Sequence, residues 1–488
     1  MPPEVLPHLI DGVHRPSETG KTLPIARPLT GVVDQEISRG GPVEANLAVK
    51  GARTAGALWR GTPAHERAKV LLSISEKLLS AKDTLSRRIA VDVGKPIRDA
   101  RIEVERAASV FTFAAEALRR PLGETYPADA YPLPPGNEHR MLFSVREPLG
   151  VIVAISPFNF PLNLLAHKVA PALAAGNTVV AKPASLGSAI GLALGDIALE
   201  SGLPAGAFNV VLGSGSEVGM SLASHPAVRM VTLTGSVETG RKVAERAGAG
   251  GKKVLLEMGG MDALVIFEDA PLGSAVEAAV RGAFGYSGQV CTATKRILVH
   301  AAVASEFLDQ FVARVQGLRV GDPTEETTDV GPLIETAAVE RVAAMVNDAL
   351  EKGAKVRTGG SRTRVEVGPN FFAPTVLTEV PDDARVVQEE PFGPVVPVLT
   401  FSDEAEALER ANSTRYGLQA AVYTQDLARA LRMARDLQAG GVHINDPTTL
   451  RWDALPFGGV RASGIGREGV DRAIEAMSEV KLVSVNIA

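Results

Sequence analysis

The stretch FGYSGQVCTATKR, residues 284–296, contains Cys291, the only cysteine of the chain. A single cysteine cannot form a disulfide within its own chain, so its chemistry is that of a free thiol. Most free cysteines are small, buried and inert. A cysteine becomes a nucleophile where the thiolate is favoured, for example at the start of a helix. The polar loop before Cys291 predicts a position near a helix start, and both interpretations remain open on these residues alone.

Two polar side chains follow apolar strands elsewhere in the chain. Asn159, in SPFNFPLN, comes directly after one strand, at the carboxyl edge where α/β sheets bind ligands. Its amide could contact a ligand or simply satisfy backbone groups. Glu257, in LLEMGGMD, ends another apolar run. Partial desolvation there would raise the pKa of the carboxyl toward that of a general base, whereas a salt bridge is the structural alternative.

Glycines mark one strand-to-helix junction. The stretch TLTGSVETG places Gly235 and Gly240 where a strand gives way to a helix. Glycine there lets the backbone approach a phosphate, and the helix start supplies free N–H groups and positive potential. The pattern is not the GxGxxG fingerprint, and a turn needs glycine in any case. The junction is therefore compatible with a phosphate site or with a tight turn.

The elements that would position these residues alternate along the chain. From residue 149 short β-branched runs alternate with helical stretches, which predicts a parallel, doubly wound sheet in an α/β fold. KKVLLEMGG then opens a second alternating block that contains Cys291. Residues 62–120 are predicted to be helical, with Thr62 as a cap and Pro63 in the first helical position. Residues 121–145 are proline-rich and then strand-like, as in an extension from a core.

Composition excludes several classes of protein. The 488 residues suggest about three domains. A net charge of -5 and the lack of any basic block give no reason to expect nucleic-acid binding. No apolar run approaches the length of a membrane span, and the first 20 residues do not resemble a signal peptide. One cysteine suits a reducing compartment, so we expect a cytoplasmic protein.

The ordered set of motifs resembles the aldehyde dehydrogenases from about residue 25 to residue 481. The shared motifs, in the order and spacing of that family, are SPFNFP, GNTVVAKPAS, TLTGSVETG, LEMGG, GYSGQVCTA, QEEPFGPVVPV and PFGGVRASGIGREG. Any one of these could arise by chance, whereas the ordered set is specific. The resemblance identifies Cys291 as the expected nucleophile.

The resemblance implies a catalytic role for five residues. Cys291 would attack an aldehyde carbonyl, and the side-chain amide of Asn159 with the backbone N–H of Cys291 would stabilise the oxyanion. Glu257 would activate the water that hydrolyses the resulting thioester. Lys168 and Glu479 match positions implied in proton relay, although each could form an ordinary salt bridge. No metal is implied.

The resemblance also implies a dinucleotide cofactor, NAD or NADP. The positions matched to it are Ser156, Phe158, Lys182, Ser185, Gly215, Thr234, Gly235, Ser236, Gly240, Glu257, Glu390 and Phe392. Phe158 stands where tryptophan is frequent in the family, and Arg461 replaces a frequent lysine. Ser185 stands where many members have a glutamate that would repel a 2′-phosphate. We therefore expect NADP to be accepted, and the residues leave open whether NADP or NAD is the preferred cofactor.

The family's substrate tunnel maps onto four residues here: Asn163, His167, Thr292 and Arg451. These predict a small polar aldehyde bearing a carboxylate, hydroxyl or phosphate. Arg451 could hold an anion, or it could pair with Asp453 and never meet substrate. The loop around it resembles that of members acting on lactaldehyde, succinic semialdehyde or glyceraldehyde 3-phosphate.

The resemblance implies three parts. A Rossmann-like cofactor domain would comprise residues 1–120 and 146–255 with part of 445–468, and a second α/β catalytic domain 256–444. A β oligomerisation extension would comprise 121–145 and 469–488, which predicts a homodimer or homotetramer. A CoA-acylating relative is the alternative enzyme, and Glu257 argues against it because such members lack that glutamate. A non-catalytic binding protein of the same fold is the alternative of another class.

Overall fold

The predicted doubly wound sheet is present in a computed structural model that describes residues 3–120 and 123–487. It has eight strands, whose inner neighbours pair in parallel. In spatial order the strands are Gly464–Ile465, Lys253–Glu257, Val228–Thr234, Val151–Ile155, Thr178–Lys182, Phe208–Val210, His8–Ile10 and Val13–Arg15. Every residue of Val151–Ile155 is buried, as expected for an apolar strand covered on both faces.

A second sheet, of seven strands, lies next to Cys291. It is parallel except at one edge strand. Its order is Lys355–Thr358, Thr375–Thr378, Val395–Phe401, Arg296–His300, Ala263–Ile266, Gln419–Tyr423 and Gly441–Ile444. The α/β class and the presence of two parallel sheets are therefore confirmed. The strand Lys253–Glu257, predicted to open the second block, instead pairs with Val228–Thr234 in the first sheet.

Two smaller sheets complete the strands of the described chain. One has the order Glu4–Leu6, Val33–Ser38 and Thr22–Ala26. The other is antiparallel and contains Ser478–Asn486, Arg140–Pro148 and Thr125–Tyr126. The latter joins the proline-rich segment to the C-terminal strand, as predicted. Residues 121, 122 and 488 of that extension, and residues 1 and 2, lie outside the described residues.

The helices cover the sheets and fill the space between them. They are Pro42–Gly61, Ala64–Ser80, Lys82–Val93, Ile97–Ala117, Asn163–Ala174, Ser188–Glu200, Met220–Ser224, Val237–Gly248, Leu272–Phe284, Ala304–Gln316, Thr336–Glu351, Arg385–Gln388, Glu404–Asn412, Leu427–Asp436 and Val470–Ala476. None of the described helices has the length and apolar composition needed to cross a bilayer.

One helix boundary differs from the prediction. Thr62 closes the helix Pro42–Gly61 instead of capping the next one, and Pro63 stands one residue before the helix that begins at Ala64. Leu71, Ile74 and Leu78 are fully buried along that helix, as their spacing predicts. The two helices therefore follow each other with only a two-residue break.

Candidate active site

Cys291 lies at the end of a strained turn, not at the start of a helix. The helix Leu272–Phe284 leads into a 3-10 segment, Gly285–Gly288, and the next regular element is the strand that begins at Arg296. Tyr286 and Ser287 have φ values of 46° and 57°, a left-handed conformation that costs a non-glycine residue about 1–3 kcal/mol. The predicted helix start is therefore wrong, and the turn needs support from other elements.

Three buried side chains supply that support. The Tyr286 hydroxyl donates to the carbonyl of Val93 at 2.8 Å, and the Ser287 hydroxyl donates to the carbonyl of Gly331 at 2.8 Å. The Gln289 side-chain oxygen accepts from the backbone N–H of Ile334 at 2.9 Å. These bonds connect the turn to two distant segments, one at Val93 and the other at residues 331–334. The position of Cys291 is therefore set by the surrounding fold.

Gly288 in the same turn is required by space as well as by conformation. Its φ is +70°, and a β-carbon there would lie 2.2 Å from the carbonyl oxygen of Gly393. Backbone atoms cannot move aside as a flexible side chain can. A larger residue at position 288 would displace the turn that carries Cys291.

Lys295 fixes the backbone at Cys291 by hydrogen bonds, a role that was not predicted from the sequence. Its buried ammonium group donates to the carbonyl of Val290 at 3.0 Å and to the carbonyl of Cys291. The same group lies 3.2 Å from a carboxylate oxygen of Glu390. Lys295 thus links the cysteine to one of the residues predicted to bind cofactor. The lysine and arginine that follow Cys291 in the sequence were the available signal for this role.

Burial dominates the electrostatics of the thiol. It raises the pKa of the Cys291 thiol to about 12, against a smaller opposing effect of Lys295. In the protein without ligands the side chain is therefore a thiol at neutral pH. A base must remove its proton before the sulfur can act as a nucleophile.

Asn159 is brought to the cysteine loop, as predicted. One amide N–H donates to the carbonyl of Gln289 at 2.9 Å, and the amide oxygen accepts from the N–H of Phe160 at 3.1 Å. These bonds fix the orientation of the amide and use only one of its two N–H groups. The other N–H is free to donate to a ligand beside Cys291.

Two cavities meet at Cys291. One, of about 490 Å³, is lined among others by Phe158, Asn159, Thr234, Gly235, Ser236, Glu390 and Phe392. The other, of about 170 Å³, is lined among others by Asn163, Thr292, Arg106, Arg281 and Arg451. Among the described residues, Cys291 is the one that lines both cavities. The larger cavity therefore collects predicted cofactor residues, and the smaller one collects predicted substrate residues.

The larger cavity has features that fit a dinucleotide. Gly235 and Ser236 line it at the start of the helix Val237–Gly248, where Ser236 caps the helix by accepting from the N–H of Thr239 at 3.2 Å. The remaining free N–H groups of the first turn favour a phosphate. The rings of Phe158 and Phe392 pack edge to face with their centroids 5.8 Å apart and form one wall of the cavity. The residues present fit an extended, anionic, partly aromatic ligand.

Other predicted cofactor residues do not line that cavity. Lys182 is buried with no side-chain partner among the described residues, and burial lowers the pKa of its ammonium group to about 8. The buried hydroxyl of Ser156 likewise has no described partner. Ser185 opens a 3-10 turn and Gly215 a short π-helix. Gly240 instead packs in a helix, where a β-carbon would lie 2.3 Å from the sulfur of Met258.

Glu257 is buried and is not among the described residues that line either cavity. Neither of its carboxyl oxygens has a hydrogen-bond partner among the described residues. Burial, and then the nearby charge of Glu468, raise the pKa of this carboxyl well above its ordinary value. Because the salt bridge considered as an alternative is not formed, Glu257 has the environment of a proton acceptor with a raised pKa.

The carboxylate that meets Lys168 is Glu468, not Glu479. The fully buried ammonium of Lys168 lies 2.6 Å from Glu468 and donates to the hydroxyl of Thr234 at 2.7 Å. Glu479 lies on the C-terminal strand, exposed, and pairs with Lys253 at 2.9 Å. It belongs to the extension, because Glu479 itself pairs with Glu147 of the strand Arg140–Pro148. The prediction for Glu479 is therefore wrong, and Glu468 is the residue that was missed.

Asp453 organises one side of the smaller cavity. It accepts a bidentate pair of bonds from Arg106 at 2.9 and 2.7 Å and lies 2.8 Å from His167. The fully buried His167 does not line the cavity, so its predicted contact with substrate is replaced by a supporting role. Asn163 lines the cavity and contacts the same carboxylate at 3.4 Å.

Arg451 has a guanidinium group that is only partly satisfied. It donates to Glu468 at 3.1 Å and stacks over the ring of Phe457, 3.8 Å from the centroid. Its Nε atom is 3.8 Å from Asp453 and forms no hydrogen bond to the described residues. Pairing with Asp453 alone therefore does not account for Arg451, which keeps donor capacity beside the smaller cavity.

A sequence model of the aldehyde dehydrogenase family matches residues 14–483. The chain belongs to this family. It is 40% identical over 452 residues to the 3-sulfolactaldehyde dehydrogenase of Priestia megaterium, covering 93% of this chain and 92% of the relative. It is 38% identical over 479 residues to the NADP⁺ succinate-semialdehyde dehydrogenase of Escherichia coli, covering 98% and 97%.

A solved structure gives the same result for the fold. The NADP-dependent glyceraldehyde-3-phosphate dehydrogenase of Bacillus halodurans, complexed with NADP, is 37% identical and superposes with a TM-score of 0.95, covering 99% of each chain. This aldehyde dehydrogenase is accordingly an NAD(P)-binding oxidoreductase that acts on the aldehyde group of a small substrate.

Proposed function

We propose that this aldehyde dehydrogenase oxidises a small anionic aldehyde to the carboxylic acid through a covalent bond to Cys291. The observation that carries the proposal is the position of Cys291, which lines both the dinucleotide-sized cavity and the smaller cavity, where four basic residues outnumber Asp99 and Glu103. A nucleophile at that junction can hold a substrate carbon against a bound nicotinamide. The roles of individual residues follow from their contacts.

The first step forms a carbon–sulfur bond. A base removes the thiol proton, and the Cys291 sulfur attacks the carbonyl carbon of the aldehyde, whose oxygen becomes an oxyanion. The free N–H of the Asn159 amide and the N–H of Cys291 donate to that oxygen. When bound, oxidised nicotinamide supplies the hydride acceptor that turns this adduct into a thioester.

The second step releases the acid. Glu257 takes a proton from a water molecule as the water oxygen attacks the thioester carbon, and the carbon–sulfur bond then breaks. Glu257 would pass its proton on through the polar pair formed by Lys168 and Glu468, which are buried together at 2.6 Å. Thr234, bonded to Lys168 at 2.7 Å, extends this chain toward the larger cavity.

The smaller cavity supports the anionic class of substrate. Its volume of about 170 Å³ suits a short aldehyde, and Arg451, Arg106 and Arg281 all line it. The three relatives reported above are named for aldehydes that carry a sulfonate, a carboxylate and a phosphate. Sulfonate, carboxylate and phosphate groups all accept hydrogen bonds from guanidinium groups, and three arginines line this cavity.

Replacement of Arg451 by alanine tests the substrate class. We expect Arg451→Ala to lower kcat/KM for succinic semialdehyde by about 10- to 100-fold, because a charge-assisted hydrogen bond contributes about 1.5–3 kcal/mol. Butanal, a neutral aldehyde of the same chain length, is the matched control and should lose little. Equal losses on both substrates would show that Arg451 acts only through Glu468. A wild-type preference for hexanal or benzaldehyde over every polar aldehyde would overturn the substrate class itself.

We also propose that the enzyme accepts and prefers NADP⁺. Lys182 has a buried ammonium group without a described partner, and Ser185 lies three residues further on, where it adds no negative charge. We expect Ser185→Glu to lower kcat/KM for NADP⁺ by about tenfold or more, since a carboxylate would repel the 2′-phosphate. The same variant should keep its activity with NAD⁺, and Ser185→Ala is the uncharged control. A wild-type kcat/KM at least about tenfold higher with NAD⁺ would contradict the preference.

The antiparallel extension supports a proposal for assembly. Its edge strand Ser478–Asn486 exposes Val480 and Leu482, and the neighbouring strand exposes Met141. Exposed strand edges with apolar side chains favour pairing with another chain. We propose a homodimer or homotetramer formed through this extension. The eight-stranded sheet, which includes the strand Lys253–Glu257, would be the centre of the cofactor domain, and the seven-stranded sheet would be the centre of the catalytic domain. A cytoplasmic location remains a prediction from the single cysteine.

A further inference from the structure

A third cavity lies at the opposite end of the eight-stranded sheet from the active site. It has a volume of about 370 Å³ and lies at the amino-terminal ends of the strands that begin at Val151, Thr178 and Val228. The candidate site residues lie at the carboxyl ends of the same strands. Strands of five to seven residues separate the two places by roughly 15–20 Å. This cavity is therefore distinct from both cavities at Cys291.

The polar lining of this cavity is positive. Arg53, Arg60 and Arg229 line it, and no aspartate or glutamate is among its described lining residues. Such a concentration is unusual for this chain, which has 56 acidic and 51 basic residues. Arg60 pairs with Glu147 at 3.3 Å, whereas Arg53 and Arg229 have no ion pair or side-chain hydrogen bond in the part of the chain that the structure describes. Two guanidinium groups are thus available to a ligand. We name this place the arginine cavity.

A buried hydroxyl at the same place also lacks a partner. Thr178 lines the arginine cavity and is only 1% exposed, and its Oγ1 atom has no hydrogen-bond partner among the described residues. A β-carbon at Gly56, another lining residue, would lie 3.7 Å from that oxygen. An unsatisfied buried hydroxyl costs stability, and a ligand that accepts a hydrogen bond from it would remove that cost.

The rest of the lining is apolar. Ala52, Ala57, Leu149, Val151 and Ala227 share the wall with the arginines. A bare inorganic ion would leave much of about 370 Å³ unfilled and this wall uncovered. A ligand with a phosphate at one end and a small apolar or ring-shaped body at the other would satisfy both parts.

We propose that the arginine cavity is a second ligand site of this protein, for a small organic phosphate. The phosphate lies between Arg53 and Arg229 and accepts from the hydroxyl of Thr178, while the organic part covers the apolar wall. Phosphate is favoured over a single carboxylate because its three terminal oxygens can accept from two guanidinium groups and a hydroxyl together. The site is independent of the proposed oxidation of aldehydes.

Tryptophan fluorescence can report on this cavity directly. The chain has two tryptophans, and Trp59 is buried in the helix that carries both Arg53 and Arg60, where its indole N–H donates to the carbonyl of Leu173 at 3.0 Å. Replacing the other tryptophan, Trp452→Phe, leaves Trp59 as the only indole. Titrations are made in this background with saturating NADP⁺, so that the cofactor site does not take up the probe.

Phenyl phosphate and inorganic phosphate are the probes. We expect a saturable change in Trp59 fluorescence with phenyl phosphate and a Kd about tenfold lower than that of inorganic phosphate. Arg53→Ala and Arg229→Ala should each raise the Kd of phenyl phosphate by about tenfold or more. Arg357→Ala, an exposed arginine on the edge strand Lys355–Thr358, is the matched control and should leave the Kd unchanged. Arg451→Ala should also leave it unchanged.

Three results would overturn the proposal. One is the absence of a saturable change with phenyl phosphate. Another is an equal loss of affinity in Arg357→Ala, which would indicate a general effect of net charge. The third is a changed molecular mass of Arg53→Ala or Arg229→Ala by light scattering, which would show that a second copy of the chain covers this face.

Discussion

Cys291→Ala should abolish the oxidation of aldehydes, with turnover below about a thousandth of that of the wild type. The variant removes the sulfur that we propose forms the covalent bond to substrate, and it leaves the two cavities in place. Alanine fits the site because its side chain is smaller than that of cysteine. The loop keeps its conformation because the hydrogen bonds of Tyr286, Ser287 and Gln289 remain. Cofactor affinity, measured by fluorescence titration with NADP⁺, should therefore stay close to that of the wild type.

Chemical modification gives an independent check of the same residue. Because Cys291 is the only cysteine, alkylation with iodoacetamide must give a single adduct that mass spectrometry can count. Burial raises the pKa of the thiol to about 12, so alkylation of the ligand-free enzyme should accelerate with pH throughout the neutral range. Activity should fall in step with the adduct. Cys291→Ser supplies the isosteric control, and substantial turnover in a fully alkylated enzyme would exclude the thiol from catalysis.

The parallel sheets were predictable because their signal is local. A buried strand such as Val151–Ile155 shows as a continuous apolar run, whatever its neighbours are. The pairing of strands is not local, which explains the error at Lys253–Glu257. That strand follows a long helix and precedes new strands, so the chain order suggested a new sheet. Its hydrogen bonds instead return to Val228–Thr234.

The same distinction applies to the residues of the candidate site. The cysteine, asparagine and glutamate motifs are short stretches that the family resemblance could match one by one. Glu479 was matched to the proton relay although Glu468 is the carboxylate beside Lys168, because both glutamates lie near the C-terminus and local context does not tell which of them contacts the site. The contact that decides it spans 300 positions of the chain. Lys295 was missed for a similar reason, because its contact with Glu390 depends on the fold.

The strained turn before Cys291 could be predicted only in part. Gly288 is a visible signal for a left-handed residue, whereas left-handed Tyr286 and Ser287 are rare for their residue types. Their conformation is stabilised by bonds to Val93 and Gly331, which lie far away in the chain. The sequence could thus indicate Cys291 as a candidate nucleophile, whereas it could not predict the strained turn that carries Cys291.

Glu257→Gln should separate the two halves of the reaction. The amide cannot accept a proton from water, so acylation of Cys291 can proceed whereas hydrolysis of the thioester stalls. Mixing the variant with NADP⁺ and succinic semialdehyde should give a rapid burst of about one reduced cofactor per active site, followed by slow turnover. Glutamine has nearly the same shape as glutamate, which makes the variant a test of the proton and not of packing. A normal steady-state rate would show that Glu257 is structural.

The pH profile supplies the second measurement on Glu257. The pKa of this carboxyl is raised by burial and by Glu468, and only its ionised form can accept a proton. The steady-state rate of the wild type should therefore reach its maximum at pH values above that raised pKa, and it should fall as the pH drops through the pKa. In Glu257→Gln this acidic limb should disappear from the slow phase.

The folded state also binds the Glu257 proton more tightly than the unfolded chain does, so this residue's contribution to stability decreases as the pH rises above the unfolded pKa. The glutamine variant removes that cost and should unfold at a temperature no lower than the wild type at neutral pH. A lower unfolding temperature together with the loss of turnover would mean that the carboxylate stabilises the fold, and the loss of activity could not then be assigned to proton transfer.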